Sequence, residues 1–220
     1  ENTALQKKVN ELTEQNNLLL QDQAKLERLE KLFALDAEYS EYDKVAASVI
    51  SKDPGNWYNT FTIDRGSDDG VSVDMNVIAD GGLVGIVTET GSHWATVRSI
   101  IDDSSNVSAM AASTLDTCLV TGDLTLMEDG KLQFIQMYDK EDVVSIGDKI
   151  VTSNISDKFL RGILIGYISD ISTDANNLTK SGYLVPVVDF GHLQEVLVIK
   201  KIKETGKNSV QSSSETGKES

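Results

Sequence analysis

Two stretches of the chain repeat one pattern of apolar residues and glycines, and this repeat limits what the chain can fold into. The first copy covers residues 70–87 and the second covers residues 143–168. Each begins with a serine between two apolar residues, continues with a β-branched run, and closes on aliphatic residues flanked by glycines. A pattern used twice predicts one supersecondary unit present in two copies. We therefore expect two related small β domains; a chance likeness between two Val- and Gly-rich strands is the alternative.

Glycines recur at matching places in both copies, and the second copy carries extra residues, 154–161, before its glycine-flanked strand. Glycine inside a β pattern marks a tight turn or a close approach of another backbone. The predicted structural glycines are Gly66, Gly70, Gly82, Gly85, Gly162 and Gly166.

The N-terminal forty residues predict a long helix that pairs with a second helix. Residues 2–40 contain neither glycine nor proline, and apolar residues recur there every seven positions, which is typical of a coiled coil. Leucines and Phe33 occupy heptad position d. The residues at position a are mostly polar, and the last of them is Glu30. Asparagine at position a favours a parallel dimer in fixed register, at a cost in stability. An amphipathic helix folded against its own domain is the alternative. The predicted dimer seam is Leu5, Val9, Leu12, Asn16, Leu19, Gln23 and Leu26.

From residue 44 onward, short β-branched or apolar runs alternate with turn residues, a pattern typical of small barrels or sandwiches. The predicted fold class is mainly β with a long N-terminal helix, in which a coiled-coil helix precedes two small β-barrel or sandwich domains. The last strands could complete either the first or the second of these domains. The predicted domains are the coil at 1–43, the first barrel at 44–103, the second barrel at 104–200 and a disordered tail at 201–220. The predicted strands are 45–50, 57–63, 75–78, 83–88, 96–101, 107–112, 117–121, 124–127, 132–137, 148–152, 163–168, 183–188 and 196–199.

Composition and charge exclude several classes of partner and cofactor. A net charge of -15 argues against a nucleic-acid partner, because phosphate binding needs a basic face. The lone cysteine, Cys118, cannot form an intramolecular disulfide, and the sequence offers no Cys/His cluster for zinc. We expect no cofactor and no metal. The chain begins at Glu1 within a helical pattern, so we expect an excised fragment of a longer protein, which leaves open whether an anchor lies upstream.

Two-barrel β proteins include serine proteases, whose activity requires a catalytic triad. A triad would need His93, Asp102 or Asp103, and a later serine such as Ser153. Ser153 lies in Thr-Ser-Asn rather than on the tight glycine turn that carries such nucleophiles beside an oxyanion hole. A secreted two-barrel hydrolase is therefore the alternative function. A third hypothesis is an export-channel adaptor, which would need a hairpin of two helices.

Aspartates in the loop before the first repeat resemble part of a calcium-binding loop. Asp64, Asp68 and Asp69 are close in sequence, but the glycine position differs and no glutamate closes the loop. Solvated turn residues are the better interpretation.

The motifs together resemble the extracytoplasmic part of the MreC family of bacterial rod shape-determining proteins. The resemblance rests on the order of a coil, a Gly-x-x-x-Gly-Val-x-x-x-Met segment at 66–75, Gly-Leu-Val-Gly-Ile-Val at 82–87, and Pro-x-x-Asp-Phe at 186–190. It covers about residues 1–200.

This resemblance implies a scaffold without enzyme activity that lies on the extracytoplasmic face of the bacterial cell membrane. It implies a cytoplasmic segment and one membrane helix upstream, a homodimer or higher assembly formed through the coil, and two small β-barrels. The implied partners are MreD and other rod-shape proteins, the actin-like cytoskeleton, and penicillin-binding proteins. The resemblance supplies no catalytic residues.

Overall fold

A computed structural model describes residues 2–52, 59–139, 143–156, 158–175 and 178–203. The turn predicted near residue 54, the start of the predicted strand 57–63, and most of the predicted disordered tail 201–220 lie outside the described residues. The helices are α1 (Asn2–Glu38) and α2 (Leu124–Glu128). The strands are β1 (Lys44–Lys52), β2 (Thr60–Ile63), β3 (Asn76–Ala79), β4 (Gly82–Thr90), β5 (Ala95–Ser99), β6 (Asn106–Ala111), β7 (Thr117–Thr121), β8 (Leu132–Met137), β9 (Lys149–Thr152), β10 (Leu164–Thr173), β11 (Lys180–Pro186) and β12 (Glu195–Ile199).

The long helix α1 forms where the sequence lacks helix breakers and is rich in strong helix formers. It ends at Glu38, where the chain turns towards β1. Among the helices of the described ranges, none combines the length and apolar character needed to cross a membrane.

Two closed antiparallel barrels of six strands each follow α1. The first has the strand order β1-β12-β3-β4-β5-β2, and the second has the order β10-β11-β8-β7-β6-β9. Side chains alternate between the barrel interior and the surface along strands such as β5 and β7, as the two-residue period of a strand requires. The interiors are filled by aliphatic and aromatic side chains, including Leu83 and Phe134. The predicted fold class is confirmed.

The last strand, β12, belongs to the first barrel. It pairs with β1 through Val198 and Val45, and with β3 through Val198 and Val77. The range 104–200 therefore contains the whole second barrel and one strand of the first. Of the two alternatives that the sequence left open, the last strand completes the first barrel and not the second. It closes that barrel from the far end of the chain.

The repeated sequence unit forms the same hydrogen-bonded turn and hairpin in each barrel. In the first barrel, the N–H of Asp74 donates to the carbonyl of Val87, and the N–H of Val87 donates to the carbonyl of Met75. In the second, the N–H of Gly147 donates to the carbonyl of Ile168, whose own N–H donates to the carbonyl of Asp148. Strands β3 and β4 pair antiparallel, as do β9 and β10. The two copies are therefore one structural unit used twice.

The strand predicted at 124–127 is wrong, because this segment forms the short helix α2. A carboxylate oxygen of Asp123 accepts hydrogen bonds from the N–H groups of Thr125 and Leu126 at 2.8 and 3.2 Å. A carboxylate of Asp103 accepts from the N–H of Leu124 at 2.9 Å. Aspartate just before a helix satisfies N–H groups that have no partner inside the helix. The capping aspartates therefore outweigh the β-leaning composition.

Candidate interaction surface

The predicted seam forms an exposed stripe along α1. Leu19 is 61% exposed, and Phe33, further along the same stripe, is 77% exposed. Asn16 and Gln23 are also exposed on this helix. Leaving several leucines of one helix face in water is unfavourable, because each fully buried leucine contributes about 1.5–3 kcal/mol. The exposed seam side chains are Leu5, Val9, Leu12, Asn16, Leu19, Gln23 and Leu26.

A different face of the same helix packs on the chain's own barrels. Leu35 is only 3% exposed, and Leu32 is partly buried against the core. The Nε of Arg28 lies 3.0 Å from a carboxylate oxygen of Glu195 in β12. Tyr39, just beyond the helix, is buried. These docking residues occupy heptad positions c and f, which point away from the a and d positions of the seam.

The C-terminal end of α1 is held by Lys44, the first residue of β1. Its side chain is almost completely buried, and its ammonium lies 3.1 Å from a carboxylate oxygen of Asp36. The same ammonium donates hydrogen bonds to the carbonyls of Tyr39 and Tyr42. Both carbonyls belong to the turn that follows α1, and a cation at this end of a helix also interacts favourably with the helix dipole. This arrangement fixes the direction in which α1 leaves the first barrel.

Tyr39 also joins α1 to both barrels through its phenol group. The hydroxyl donates to the carbonyl of Gly81 at 3.3 Å, and it accepts from the N–H of Leu164 at 3.2 Å. Gly81 precedes β4 of the first barrel, whereas Leu164 begins β10 of the second. Burial raises the pKa of this phenol, and the hydrogen bond from Leu164 only partly opposes that change. The neutral phenol therefore connects three parts of the fold.

The predicted structural glycines lie where a side chain would collide or where the backbone is left-handed. A Cβ atom would lie 2.0 Å from the carbonyl oxygen of Arg98 at Gly85, and 2.2 Å from that of Val185 at Gly166. A Cβ at Gly66 would be equally close to the backbone of residues 91 and 92, and one at Gly82 would collide with the side chain of Val187. Gly70 and Gly162 have φ angles of 84° and 86°, which other residues rarely adopt.

The residues of the hypothetical catalytic triad do not assemble. His93 is highly exposed, and its Nδ1 lies 3.6 Å from a carboxylate oxygen of Asp68. Asp102 accepts hydrogen bonds from Ser104, while Asp103 accepts from the start of α2. Ser153 is buried, and its hydroxyl oxygen accepts from the N–H of Ile155. Each candidate therefore serves its own local turn.

The aspartates of the loop before the first repeat are also engaged in local structure. Asp64 accepts from the N–H of Ser48 at 2.7 Å, and Asp69 accepts from the N–H of Gly66 at 3.1 Å. Within the part of the chain that the structure describes, no group of three or more His, Cys, Asp or Glu residues could hold a metal ion.

Sequence reasoning missed the residues that attach α1 to the barrels. Arg28, Leu35 and Tyr39 follow the spacing of a second helix face, at heptad positions c and f. Lys44 follows the helix at the place where a basic side chain can reach the last carbonyls. The spacing is visible in the sequence, but the partners of Arg28 and Tyr39 lie far along the chain and come close only in the folded structure.

Comparison with known proteins decides the family of this chain. A family model described as rod shape-determining protein MreC, barrel core, matches residues 49–200. The chain belongs to the MreC family. The cell shape-determining protein MreC of Listeria monocytogenes is 33% identical over 216 residues, covering 86% of this chain and 71% of that protein. A solved structure of Listeria monocytogenes MreC superposes with a TM-score of 0.67 at 32% identity, covering 89% of this chain and 97% of that one.

A more distant solved structure shares the MreC fold. It is a complex between a penicillin-binding protein (PBP2) and MreC from Helicobacter pylori, with a TM-score of 0.54 and 13% identity. The matched region covers 72% of this chain and all of that one. Membership in the MreC family places this chain among cell shape-determining proteins and not among enzymes.

Proposed function

We propose that this MreC-family chain is a scaffold of the cell-elongation machinery that self-associates through α1 and presents its barrels to cell-wall synthases. The observation that carries the proposal is the exposed seam on α1, which lies away from the face that docks on the first barrel. Two copies can therefore pair through positions a and d without giving up any contact with their own barrels. Burying the seam in a second copy would remove its leucines from water.

The proposed synthase partner is a penicillin-binding protein. Support comes from the distant relative of Helicobacter pylori, whose structure is a complex with such a protein. Contact surfaces rather than reactive groups would perform this function, since the candidate catalytic residues each serve local turns. The barrels provide the surface that a large partner needs, and pairing through α1 would double the number of binding sites in one assembly.

We further propose that the assembly lies on the extracytoplasmic face of the cell membrane, anchored by a segment outside this sequence. MreD and the actin-like cytoskeleton are the other proposed partners. These proposals rest on family resemblance, and membership in the family supports them.

Self-association is tested by comparing the full chain with a version that lacks residues 2–27. This deletion removes all seven residues of the seam but keeps Arg28, Leu32 and Leu35, so the docking of α1 on the first barrel is retained. Sedimentation velocity over a concentration series up to about 1 mM covers the effective concentrations of tethered pairs. We expect the full chain to form dimers and the shortened chain to remain monomeric. Monomers of both chains throughout the series would contradict the proposal.

The partner is tested with the purified extracytoplasmic part of a class B penicillin-binding protein from the same cell. We expect it to bind the immobilised full chain and, with similar affinity per copy, the chain lacking residues 2–27, because the proposed binding surface lies on the barrels. Absence of binding to both chains would contradict the proposed synthase partner. It would not bear on self-association, which the sedimentation experiment tests separately.

A further inference from the structure

The extra residues of the second repeat copy reach across to the first barrel. Within this insertion, residues 158–160, which we term the latch, meet the side chain of Asn76 at the start of β3. The amide nitrogen of Asn76 donates to the carbonyl of Lys158 at 3.0 Å. The N–H of Leu160 donates to the amide oxygen of Asn76 at 2.7 Å. Asn76 is 0% exposed, so these bonds satisfy polar groups that have left water.

The latch is also anchored to its own barrel. The buried hydroxyl of Thr152, in β9, donates to the carbonyl of Leu160 at 2.5 Å and accepts from the N–H of Ile163 at 2.8 Å. The side chains of Phe159 and Leu160 are buried in the hydrophobic core. Thr152 therefore fixes the backbone of the latch to the second barrel, while the carbonyl of Lys158 and the N–H of Leu160 are available to Asn76.

Two further contacts link the same parts of the fold. The phenol of Tyr39 connects Gly81 with Leu164, and the ammonium of Lys203, beyond β12, donates to the carbonyl of Asn154 at 2.9 Å. In each contact the second barrel contributes a backbone group, whereas the side chain comes from the turn after α1, from the first barrel or from the segment that follows β12. The satisfied polar contact of the buried Asn76 makes the interface rigid, while two domains in one chain move relative to each other by default unless their interface is large and apolar.

We infer that the latch holds the second barrel in one orientation relative to the first barrel and α1. The insertion that distinguishes the two repeat copies is the element that turns two duplicated barrels into one rigid body. Asn76 is the positioning residue, because its single side chain satisfies a donor and an acceptor of the latch together. Releasing the latch lets the second barrel swing while both barrels stay folded. In a paired assembly, the orientation of α1 then no longer sets the direction in which the second barrel faces.

Hydrogen exchange tests the latch, with Asn76→Ala as the variant and Asn106→Ala as its matched control. Both asparagines begin a strand, but Asn106 lies exposed at the start of β6. We expect Asn76→Ala to speed exchange of the Leu160 amide by at least about tenfold, because its acceptor is lost. The amides of Val87 and Ile168, which bond within their own barrels, should exchange as in the unmodified chain. Asn106→Ala should leave all three amides unchanged.

Spin-label distances between the barrels test the orientation itself. Glu89→Cys and Ser172→Cys place labels at exposed positions of β4 and β10. Cys118 can stay, since burial raises its pKa to about 12 and keeps the thiol unreactive. We expect one narrow distance distribution in the unmodified chain and in Asn106→Ala, and a broad one in Asn76→Ala. The inference is overturned if Asn76→Ala keeps the narrow distribution, or if its exchange rises equally at Leu160, Val87 and Ile168.

Discussion

Leu19 and Leu35 lie on the same helix but face different environments, for Leu19 is 61% exposed while Leu35 is 3% exposed. At 100° per residue, their side chains point about 160° apart around α1. The helix therefore carries one apolar face that packs on its own barrel and a second that is exposed. In the proposed assembly, this division of faces lets one element serve both the fold of a single chain and the pairing of two.

Truncation of the docking face should destabilise the single chain. We expect Leu35→Ala to lower the free energy of unfolding by about 2–5 kcal/mol, because a buried leucine is lost and a cavity remains. Leu26→Ala, on the exposed seam, is the control and should change the monomer by less than about 0.5 kcal/mol. Urea unfolding at concentrations where the chain is monomeric measures both values. Equal effects of the two substitutions would show that Leu35 does not attach α1 to the barrels.

The polar residue Asn16 should limit the strength of self-association and define its form. Asn16→Val is expected to tighten association and to relax the choice of oligomer, because an apolar residue at position a adds burial but removes the amide pair that specifies a parallel dimer. Sedimentation equilibrium measures both the association constant and the mass. Unchanged association would place Asn16 outside the seam.

The corresponding glycines of the two repeats should be equally intolerant of a side chain. We expect Gly85→Ala and Gly166→Ala to lower the unfolding free energy by about 1–3 kcal/mol or more, since a Cβ atom would lie against a carbonyl oxygen of the neighbouring strand. Gly130→Asn is the control, because nothing lies within 4 Å of its Cβ position and asparagine tolerates its φ of 68°. Thermal melts that match the unmodified chain for the first two variants would refute this close approach of strands.

Asp139 should make the second barrel sensitive to acid. Burial by itself raises the pKa of this carboxyl, but the hydrogen bond from Lys180 and those from the N–H groups of Val143 and Val144 outweigh it and lower the pKa. A lowered pKa in the folded state contributes stability above the unfolded value near 4, and this contribution is lost as pH falls through the folded pKa. Asp139→Asn should therefore be less stable at pH 7, with a difference that shrinks below about pH 4. A difference that is constant with pH would contradict this.

Local patterns in the sequence predict most elements of this fold, because helix formers, β-branched runs and glycines act over short distances. The heptads of α1 and the glycine-flanked repeats are such patterns. Closure of the first barrel by β12 depends instead on pairing between the two ends of the chain. Asn76 lies in a strand both in the prediction and in the structure, but its partner Leu160 lies 84 residues away. Such a contact leaves no signal in the spacing of nearby residues. The contact between Asn76 and the latch was therefore not predicted.

Self-association through the seam of α1 is tested most directly by sedimentation equilibrium of the Leu19→Asp variant beside the Leu18→Asp variant. These neighbouring leucines are similarly exposed, at 61% and 56%, but Leu19 occupies seam position d and Leu18 occupies position c. A buried, unpaired carboxylate in the seam is strongly unfavourable, so we predict that Leu19→Asp is monomeric while Leu18→Asp associates like the unmodified chain. Equal association of the two variants, or loss of association only in Leu18→Asp, would contradict self-association through the seam of α1.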